Sequence, residues 1–188
     1  MGCWREGWWQ AAAPAPSPHC DARPPNTTVD LLVIHAISLP PECFATGEVQ
    51  RFFAGTLDFS TDPYYEQLRN LRVSAHFFVE RSGLLWQHVG VDQRAWHAGQ
   101  SQWRGRERCN DFSIGIELEG SATQPFADAQ YACLVRLIHA LWEYFPQLDH
   151  SAIAGHAEIA PGRKWDPGPY FDWSRLWQEL GCHDGRSS

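Results

Sequence analysis

Lysine is almost absent from this sequence, which has one lysine, Lys164, beside fourteen arginines. The formal net charge is -7, so the chain lacks the excess of basic charge that nonspecific binding to nucleic acid or anionic membranes requires. We therefore expect neither nucleic acid nor a membrane as a partner. An acidic small-molecule substrate would have to be held by a local basic patch.

Paired cysteines are also lacking, since no two cysteines have the Cys-x-x-Cys spacing usual for zinc knuckles and redox dithiols. A secretion signal is not recognisable, because Glu6, Gln10 and three prolines interrupt the apolar residues of the first segment. Scattered cysteines without such a signal indicate reduced thiols, so we expect a cytoplasmic protein. The six cysteines are Cys3, Cys20, Cys43, Cys109, Cys133 and Cys182.

Long apolar runs are missing as well, and none approaches the roughly 18 residues of a membrane helix. The composition is that of a globular chain, with 44% hydrophobic and 20% charged residues.

Residues 1–28 are rich in tryptophan and proline, which predicts an irregular segment packed on the body of the protein. No linker divides the rest, so we expect one domain over residues 1–188 and a monomer.

The apolar residues recur with the periods of both strands and helices. Residues 127–145 repeat apolar side chains at every third and fourth position, which predicts a helix that Pro146 ends. The mixed order of elements predicts an α/β fold with a single mixed sheet flanked by helices. Further strands are predicted at 29–35, 72–80, 84–89, 113–119 and 151–156, and shorter helices at 48–54, 63–69 and 173–180.

Three residues in this pattern are candidates for metal binding. His35 ends the first long predicted strand, His156 ends the last, and Asp166 follows ten residues later. Two imidazoles and one carboxylate suit Zn²⁺ and leave a fourth position open for water. The sequence has no His-Glu-x-x-His motif, so spacing alone leaves an ordinary polar role open for each residue.

Six segments together resemble the zinc N-acetylmuramoyl-L-alanine amidase family, and most closely its cytosolic branch. They are LLVIH at 31–35, RVSAHF at 72–77, RAWHAG at 94–99, NDFSIGIELEG at 110–120, GHAEIAPGRK at 155–164 and DPGP at 166–169. The resemblance covers nearly the whole chain, and the segments occur in the family's order. It implies the fold that this family shares with peptidoglycan-recognition proteins. It also implies one zinc ion per chain, held by His35, His156 and Asp166.

The resemblance further implies a reaction. Its expected substrate is a muropeptide from cell-wall recycling, cut between the lactyl group of 1,6-anhydro-N-acetylmuramic acid and L-alanine. Glu117 matches the family's catalytic acid and base. Lys164 matches the donor to the oxyanion that develops during attack. On the residues alone Glu119 remains an alternative to Glu117, since it lies two positions along on the same strand face.

The family also suggests where substrate is held. Arg72 and Arg108 match positions expected to grip peptide carboxylates, which arginine can do with two hydrogen bonds. Trp96 and His97 are expected to line the sugar side of the site. Ala36 departs from the asparagine usual in cytosolic members, which leaves the preference among wall fragments open.

Two other functions remain as alternatives to a cytoplasmic recycling enzyme. Some relatives bind peptidoglycan without cutting it, having lost a metal ligand. The full set of ligands, with Glu117 and Lys164, argues against such a binding module. The second alternative is an extracellular cell-wall amidase, against which the unrecognised signal argues.

Overall fold

The computed structural model describes residues 3–181. Six of the twelve strands in this range form one mixed sheet at the centre of the protein. The strands are β1 Trp4–Arg5, β2 Trp8–Trp9, β3 Ala13–Pro14, β4 Cys20–Ala22, β5 Leu31–Ile37, β6 Phe77–Val79, β7 Leu85–Gln87, β8 Gln93–Ala95, β9 Gln102–Trp103, β10 Arg106–Glu107, β11 Ser113–Glu119 and β12 Ile153–Gly155. The α-helices are α1 Glu48–Phe53, α2 Asp128–Tyr144, α3 His156–Ile159 and α4 Trp173–Glu179. Short 3₁₀ helices lie at Pro63–Leu68, Cys109–Asp111 and His150–Ala152.

The strand order in the central sheet is β12-β5-β11-β6-β7-β3. Strands β12, β5, β11 and β6 run parallel to one another, whereas β7 runs antiparallel to β6. The prediction of a single mixed sheet flanked by helices is therefore confirmed. Because β5 and β11 are central and parallel, their carboxyl ends meet at one edge of the sheet, the usual place for a binding site in such folds.

Alternation along the two central strands divides the sheet into an apolar face and a partly polar face. Ile114, Ile116 and Leu118 of β11 are buried in the main core, where helix α2 packs with residues such as Leu134 and Leu137. This helix bears out the periodicity of residues 127–145 and ends just before Pro146.

The opposite face carries Gly115 and Glu117 of β11 beside Val33 and His35 of β5. A smaller buried cluster, which includes Leu31 and Val33, packs under the first half of this face. Beyond it the apolar residues give way to histidine and glutamate, so the polar side chains gather near the carboxyl ends of the strands.

Three predicted elements differ from the observed ones. The strand predicted at 72–80 is regular only over Phe77–Val79, because the amides of Ser74 and His76 bond to the carbonyls of Trp96 and Gly115 in an irregular stretch. The helix at 63–69 is a 3₁₀ helix that begins at Pro63 behind the capping carboxylate of Asp62. Strand β12 stops at Gly155, and His156 instead begins helix α3.

The N-terminal segment contains short strands within its irregular course. Strands β1 and β2 form a small antiparallel pair, and β3 adds to the edge of the central sheet beside β7. Trp9 is buried in the main core, with Trp4 packed against it. Within residues 3–181 the five cysteines are free thiols, and Cys182 lies outside the described residues. No helix in that range has the length and apolar character needed to cross a membrane.

Candidate metal centre and catalytic cleft

Three buried side chains converge at the carboxyl edge of the sheet. The Nδ1 atoms of His35 and His156 are 2.9 Å apart, and each lies close to Oδ2 of Asp166, at 3.1 Å and 3.0 Å. The structure therefore brings together the three residues that the sequence predicted as metal ligands, as one candidate metal-binding group.

The fold explains why residues so distant in sequence meet. His35 lies on β5, and β12 pairs beside β5, so His156 follows β12 directly into the space next to His35. Asp166 lies in the loop after α3. The backbone carbonyl of Asp166 accepts a hydrogen bond from the amide of Ala157 at 2.8 Å. That bond ties the loop to the first turn of α3 and so places Asp166 against His156.

The donor atoms of this group fit a zinc ion. Nε2 of His156 lies 3.2 Å from the carbonyl oxygen of Ala98, which can only accept, so Nε2 carries a proton and Nδ1 is the nitrogen that can bind a metal ion. Zinc ligands at 2.0–2.1 Å in a tetrahedron are roughly 3.3 Å apart, close to the observed spacing. Small side-chain movements are enough to bring all three atoms to a cation.

Arg163 strengthens the support behind His156. Its guanidinium donates to the carbonyls of Ala98, at 2.6 Å, and Gln100, at 2.5 Å. The carbonyl that accepts from His156 is therefore itself fixed. A carbonyl held behind a metal-binding histidine is a common means of orienting the ring.

The second histidine of the group also has a partner behind it. Nε2 of His35 lies 2.9 Å from Nδ1 of His97, which is buried and lines the cleft. Burial lowers the pKa of His35 to about 4, and burial together with the nearby ring of His35 holds the pKa of His97 well below the ordinary histidine value. Both rings are therefore neutral at physiological pH.

Glu117 lies beside the metal-binding group, since it pairs with His35 across β11 and β5. Its side chain is almost fully buried, and Oε2 has no hydrogen-bond partner among residues 3–181. Burial, and then the negative charge of Asp166, raise the pKa of Glu117 well above the usual glutamate value, while Lys164 opposes the rise. A buried carboxylate with a free oxygen and a raised pKa is suited to accept a proton.

Glu119 has different surroundings from Glu117. Its two carboxylate oxygens accept hydrogen bonds from the backbone amides of Ala45, at 2.5 Å, and Arg81, at 3.0 Å. It is not among the residues that line the cleft. The carboxylate therefore ties two loops to β11, and the geometry favours Glu117 over Glu119 for proton transfer.

A cleft of about 410 Å³ opens beside the metal-binding group. Glu117, His156 and Asp166 lie on its wall, and the exposed Lys164 lies at its rim. Trp165, next to Lys164, also lines the cleft and is 49% exposed. Many of the other lining residues are apolar or aromatic, among them Phe52, Phe53, Tyr64, Leu68 and Leu71.

The remaining predicted substrate residues do not line this cleft, although Arg72 lies between Leu71 and Val73, which do. The Arg72 guanidinium donates to the carbonyls of Arg69 and Leu71. Arg108 is exposed, pairs with Asp111 at 3.3 Å and lines a separate groove on the surface. The Trp96 indole donates to Asp21 at 3.1 Å. Of the four predicted substrate residues, His97 alone lines the cleft.

Sequence reasoning did not anticipate Arg163, Ser113 or Trp165 at this site. Arg163 and Trp165 flank Lys164 within one predicted segment, so their nearness to the site was available in principle. Ser113 gave no signal, because a serine that begins a strand is ordinary. Its hydroxyl oxygen lies 3.2 Å from Nε2 of His97, and only the folded structure brings the loop that carries His97 next to it.

The sequence around this site matches a known protein family. The family model described as N-acetylmuramoyl-L-alanine amidase matches residues 25–169, which span both histidines, Asp166 and Glu117. The match covers more than half of the chain. The protein therefore belongs to the N-acetylmuramoyl-L-alanine amidase family, a family of hydrolases.

Within that family, the chain is similar to 1,6-anhydro-N-acetylmuramyl-L-alanine amidases named AmpD. It is 53% identical to the AmpD of Haemophilus influenzae, over 85% of this chain and 86% of the relative. It is 50% identical to the AmpD of Escherichia coli K12, over 91% of this chain and 93% of the relative.

Solved structures give the same grouping. A crystal structure of a selenomethionine AmpD derivative matches with a TM-score of 0.92 at 48% identity, over 95% of this chain and 99% of that chain. The Escherichia coli amidase AmiD, in complex with anhydro-N-acetylmuramic acid-L-Ala-D-γ-Glu-L-Lys, matches with a TM-score of 0.60 at 30% identity. That alignment covers 97% of this chain and 66% of the AmiD chain.

Proposed function

We propose that this protein is a zinc-dependent 1,6-anhydro-N-acetylmuramyl-L-alanine amidase of peptidoglycan recycling. It hydrolyses the amide bond between the lactyl group of the anhydro sugar and L-alanine. The observation that carries this proposal is the buried His35, His156 and Asp166 group with the unpartnered carboxylate of Glu117 beside it, within residues 3–181. AmpD relatives at about half identity, matched over nearly their whole length, supply the substrate class.

In this proposal one Zn²⁺ per chain, held by His35, His156 and Asp166, supplies the Lewis acidity that polarises the amide carbonyl and favours proton loss from water. Glu117 accepts the proton of the attacking water at its free Oε2. It then delivers that proton to the nitrogen of L-alanine as the amide bond breaks. The raised pKa supports both steps, because a carboxyl group that holds its proton can also return it.

Lys164 acts on the other side of the reacting carbonyl. Its ammonium lies at the rim of the cleft and is close enough to Glu117 to oppose the rise in the pKa of that carboxyl. A compact positive charge there can donate to the oxyanion that forms as water attacks. Apolar residues that line the cleft, such as Leu68 and Leu71, exclude water from the bound amide.

The substrate is a small soluble muropeptide, and the proposed compartment is the cytoplasm. The five free thiols within residues 3–181 support a reducing environment. The free Oε2 of Glu117 supports catalysis over simple binding of wall fragments, because a pure binding site gains nothing from an unpartnered buried carboxylate.

Incubation of the zinc-loaded protein with 1,6-anhydro-N-acetylmuramyl-tripeptide tests the proposal. Mass spectrometry should show anhydro-N-acetylmuramic acid and a tripeptide that begins with L-alanine. Intact peptidoglycan sacculi serve as the competing substrate. Tight binding without products would favour the binding module, and faster release of peptide from sacculi would favour the extracellular wall amidase.

A further inference from the structure

His97 and Ser113 form a chain of contacts behind His35 that the proposed reaction does not use directly. The chain runs from Nδ1 of His97, at 2.9 Å from His35, through its Nε2, at 3.2 Å from Oγ of Ser113. It ends where the Ser113 hydroxyl meets the carbonyl oxygen of Cys109 at 2.5 Å. All three side chains are buried.

The position of each proton in this chain follows from its far end. Two oxygens 2.5 Å apart need a proton between them, and a carbonyl has none, so the Ser113 hydroxyl donates to Cys109. Oγ of Ser113 is then free only to accept, which requires the proton of neutral His97 to be on Nε2. Nδ1 of His97 is consequently bare and accepts from Nε2 of His35. The proton of His35 is therefore on Nε2, and its Nδ1 is bare.

From this geometry we infer that His97 and Ser113 are positioning residues that fix the tautomer of His35, so that its bare Nδ1 faces His156 and Asp166. This inference rests on the proposed zinc site. His156 has the same tautomer by a shorter route, since the Ala98 carbonyl accepts directly from its Nε2. Both imidazoles thus direct an electron pair at one point, as shared zinc ligands must.

The surrounding backbone is shaped to hold His97 in this place. The side-chain oxygen of Asn110 accepts from the amides of His97, at 3.0 Å, and Ala98, at 2.7 Å. The ring lies flat against β11 at Gly115, where an added Cβ would come within 2.4 Å of Cγ and 2.6 Å of Nδ1 of His97. One asparagine therefore positions the groups behind both metal-binding histidines, and the missing side chain at Gly115 leaves room for one of them.

Ser113→Ala removes the oxygen that accepts from Nε2 of His97, with little change in side-chain volume. Without it, His97 can hold its proton on Nδ1 and donate to His35, which moves the His35 proton onto the nitrogen that should bind metal. Loss of such a partner typically weakens metal binding about 10–100-fold. Ser17→Ala is the matched control, because Ser17 is also buried and its hydroxyl donates to the carbonyl of Phe53, away from this group.

Two measurements on the full chain test the inference. Zinc affinity, from competition with a chromophoric chelator, should fall about 10–100-fold in Ser113→Ala and stay unchanged in Ser17→Ala. Nitrogen NMR of chelator-treated wild-type protein should place the His35 proton on Nε2, and Ser113→Ala should populate the other tautomer. Wild-type zinc affinity in Ser113→Ala, or a His35 proton on Nδ1 in the wild type, would overturn the inference.

The two proposals fail in different ways. A wild-type protein that binds no zinc would contradict the proposed function, and the tautomer of His35 in that same protein would still decide the role of His97. Thermal unfolding of Ser113→Ala should match that of Ser17→Ala, since each loses one buried hydroxyl. If Ser113→Ala does not fold, the wild-type NMR result alone decides for or against the inference.

Discussion

Glu117 and His35 are directly paired neighbours on the parallel strands β11 and β5, so a proposed proton acceptor and a proposed metal ligand share one face of the sheet. Their spacing is set by backbone hydrogen bonds between two central strands rather than by mobile loops. The carboxylate of Glu117 is thus held next to the candidate metal-binding group. A site built on central strands keeps its geometry better than one built on loops.

Glu117→Gln should slow kcat by roughly 10²–10⁴, because the amide cannot accept or return a proton. Zinc content should stay at the wild-type value, since Glu117 is not one of the three ligands in this account. Elemental analysis and steady-state kinetics on the same preparation check both parts. Loss of zinc from Glu117→Gln would reassign it as a ligand.

Glu119→Gln is the matched comparison two residues along the same strand. The substitution replaces one carboxylate oxygen, which accepts a hydrogen bond, by an amide NH₂ group, which donates. That group would face the backbone N–H of either Ala45 or Arg81. The expected cost is about 1–3 kcal/mol of unfolding free energy with kcat nearly unchanged. Urea unfolding and kinetics measure the two effects. A kcat loss as large as that of Glu117→Gln would contradict the assignment of Glu117, rather than Glu119, as the proton acceptor.

Single substitutions of His35, His156 or Asp166 by alanine should each abolish stoichiometric zinc, because a three-ligand site has none to spare. The wild-type protein should carry about one zinc per chain, and chelation followed by added zinc should remove and restore activity. His139→Ala, in the middle of helix α2, is a control for loss of a histidine. A metal-free protein with full activity would contradict the site.

Lys164→Met should lower kcat about 10²–10³-fold with zinc retained, since it removes one donor to the developing oxyanion. Lys164→Arg distinguishes an aimed ammonium from general positive charge. The guanidinium is longer and planar, so it should restore little of the lost rate. Wild-type kcat in Lys164→Arg would show that only the charge at the rim matters.

Substrate contacts should appear as changes in KM. Trp165→Ala removes a half-exposed indole from the cleft wall and should raise KM with kcat little changed. Arg72→Ala and Arg108→Ala should also raise KM, because the family resemblance assigns both arginines to the peptide carboxylates of the substrate. Unchanged KM values in both arginine variants would remove them from the substrate site.

Much of the fold could be predicted from apolar periodicity alone. The long helix α2 and the central strand β11 stand where the pattern put them, because each has one face in the core. The irregular stretch before β6 was not predictable in the same way. Its backbone hydrogen bonds go to Trp96 and Gly115, which are distant in sequence, and periodicity carries no information about them.

The site was predictable in its chemistry and less so in its supports. Residue types and family resemblance led to His35, His156 and Asp166, which the structure brings together. The positioning role proposed for His97 could not be read from the sequence, since it depends on the buried hydroxyl of Ser113 and on Gly115 of strand β11. Burial and orientation, which the residue letters do not state, separate Glu117 from Glu119.

The most direct test of the central claim is hydrolysis of 1,6-anhydro-N-acetylmuramyl-tripeptide by the zinc-loaded protein in water labelled with heavy oxygen. Attack on the lactyl carbonyl should place one labelled oxygen in the carboxylate of the released anhydro-N-acetylmuramic acid. The tripeptide should carry no label and should have a new amino terminus at L-alanine. A labelled oxygen in the peptide product, or no cleavage by protein shown to hold zinc, would contradict the account.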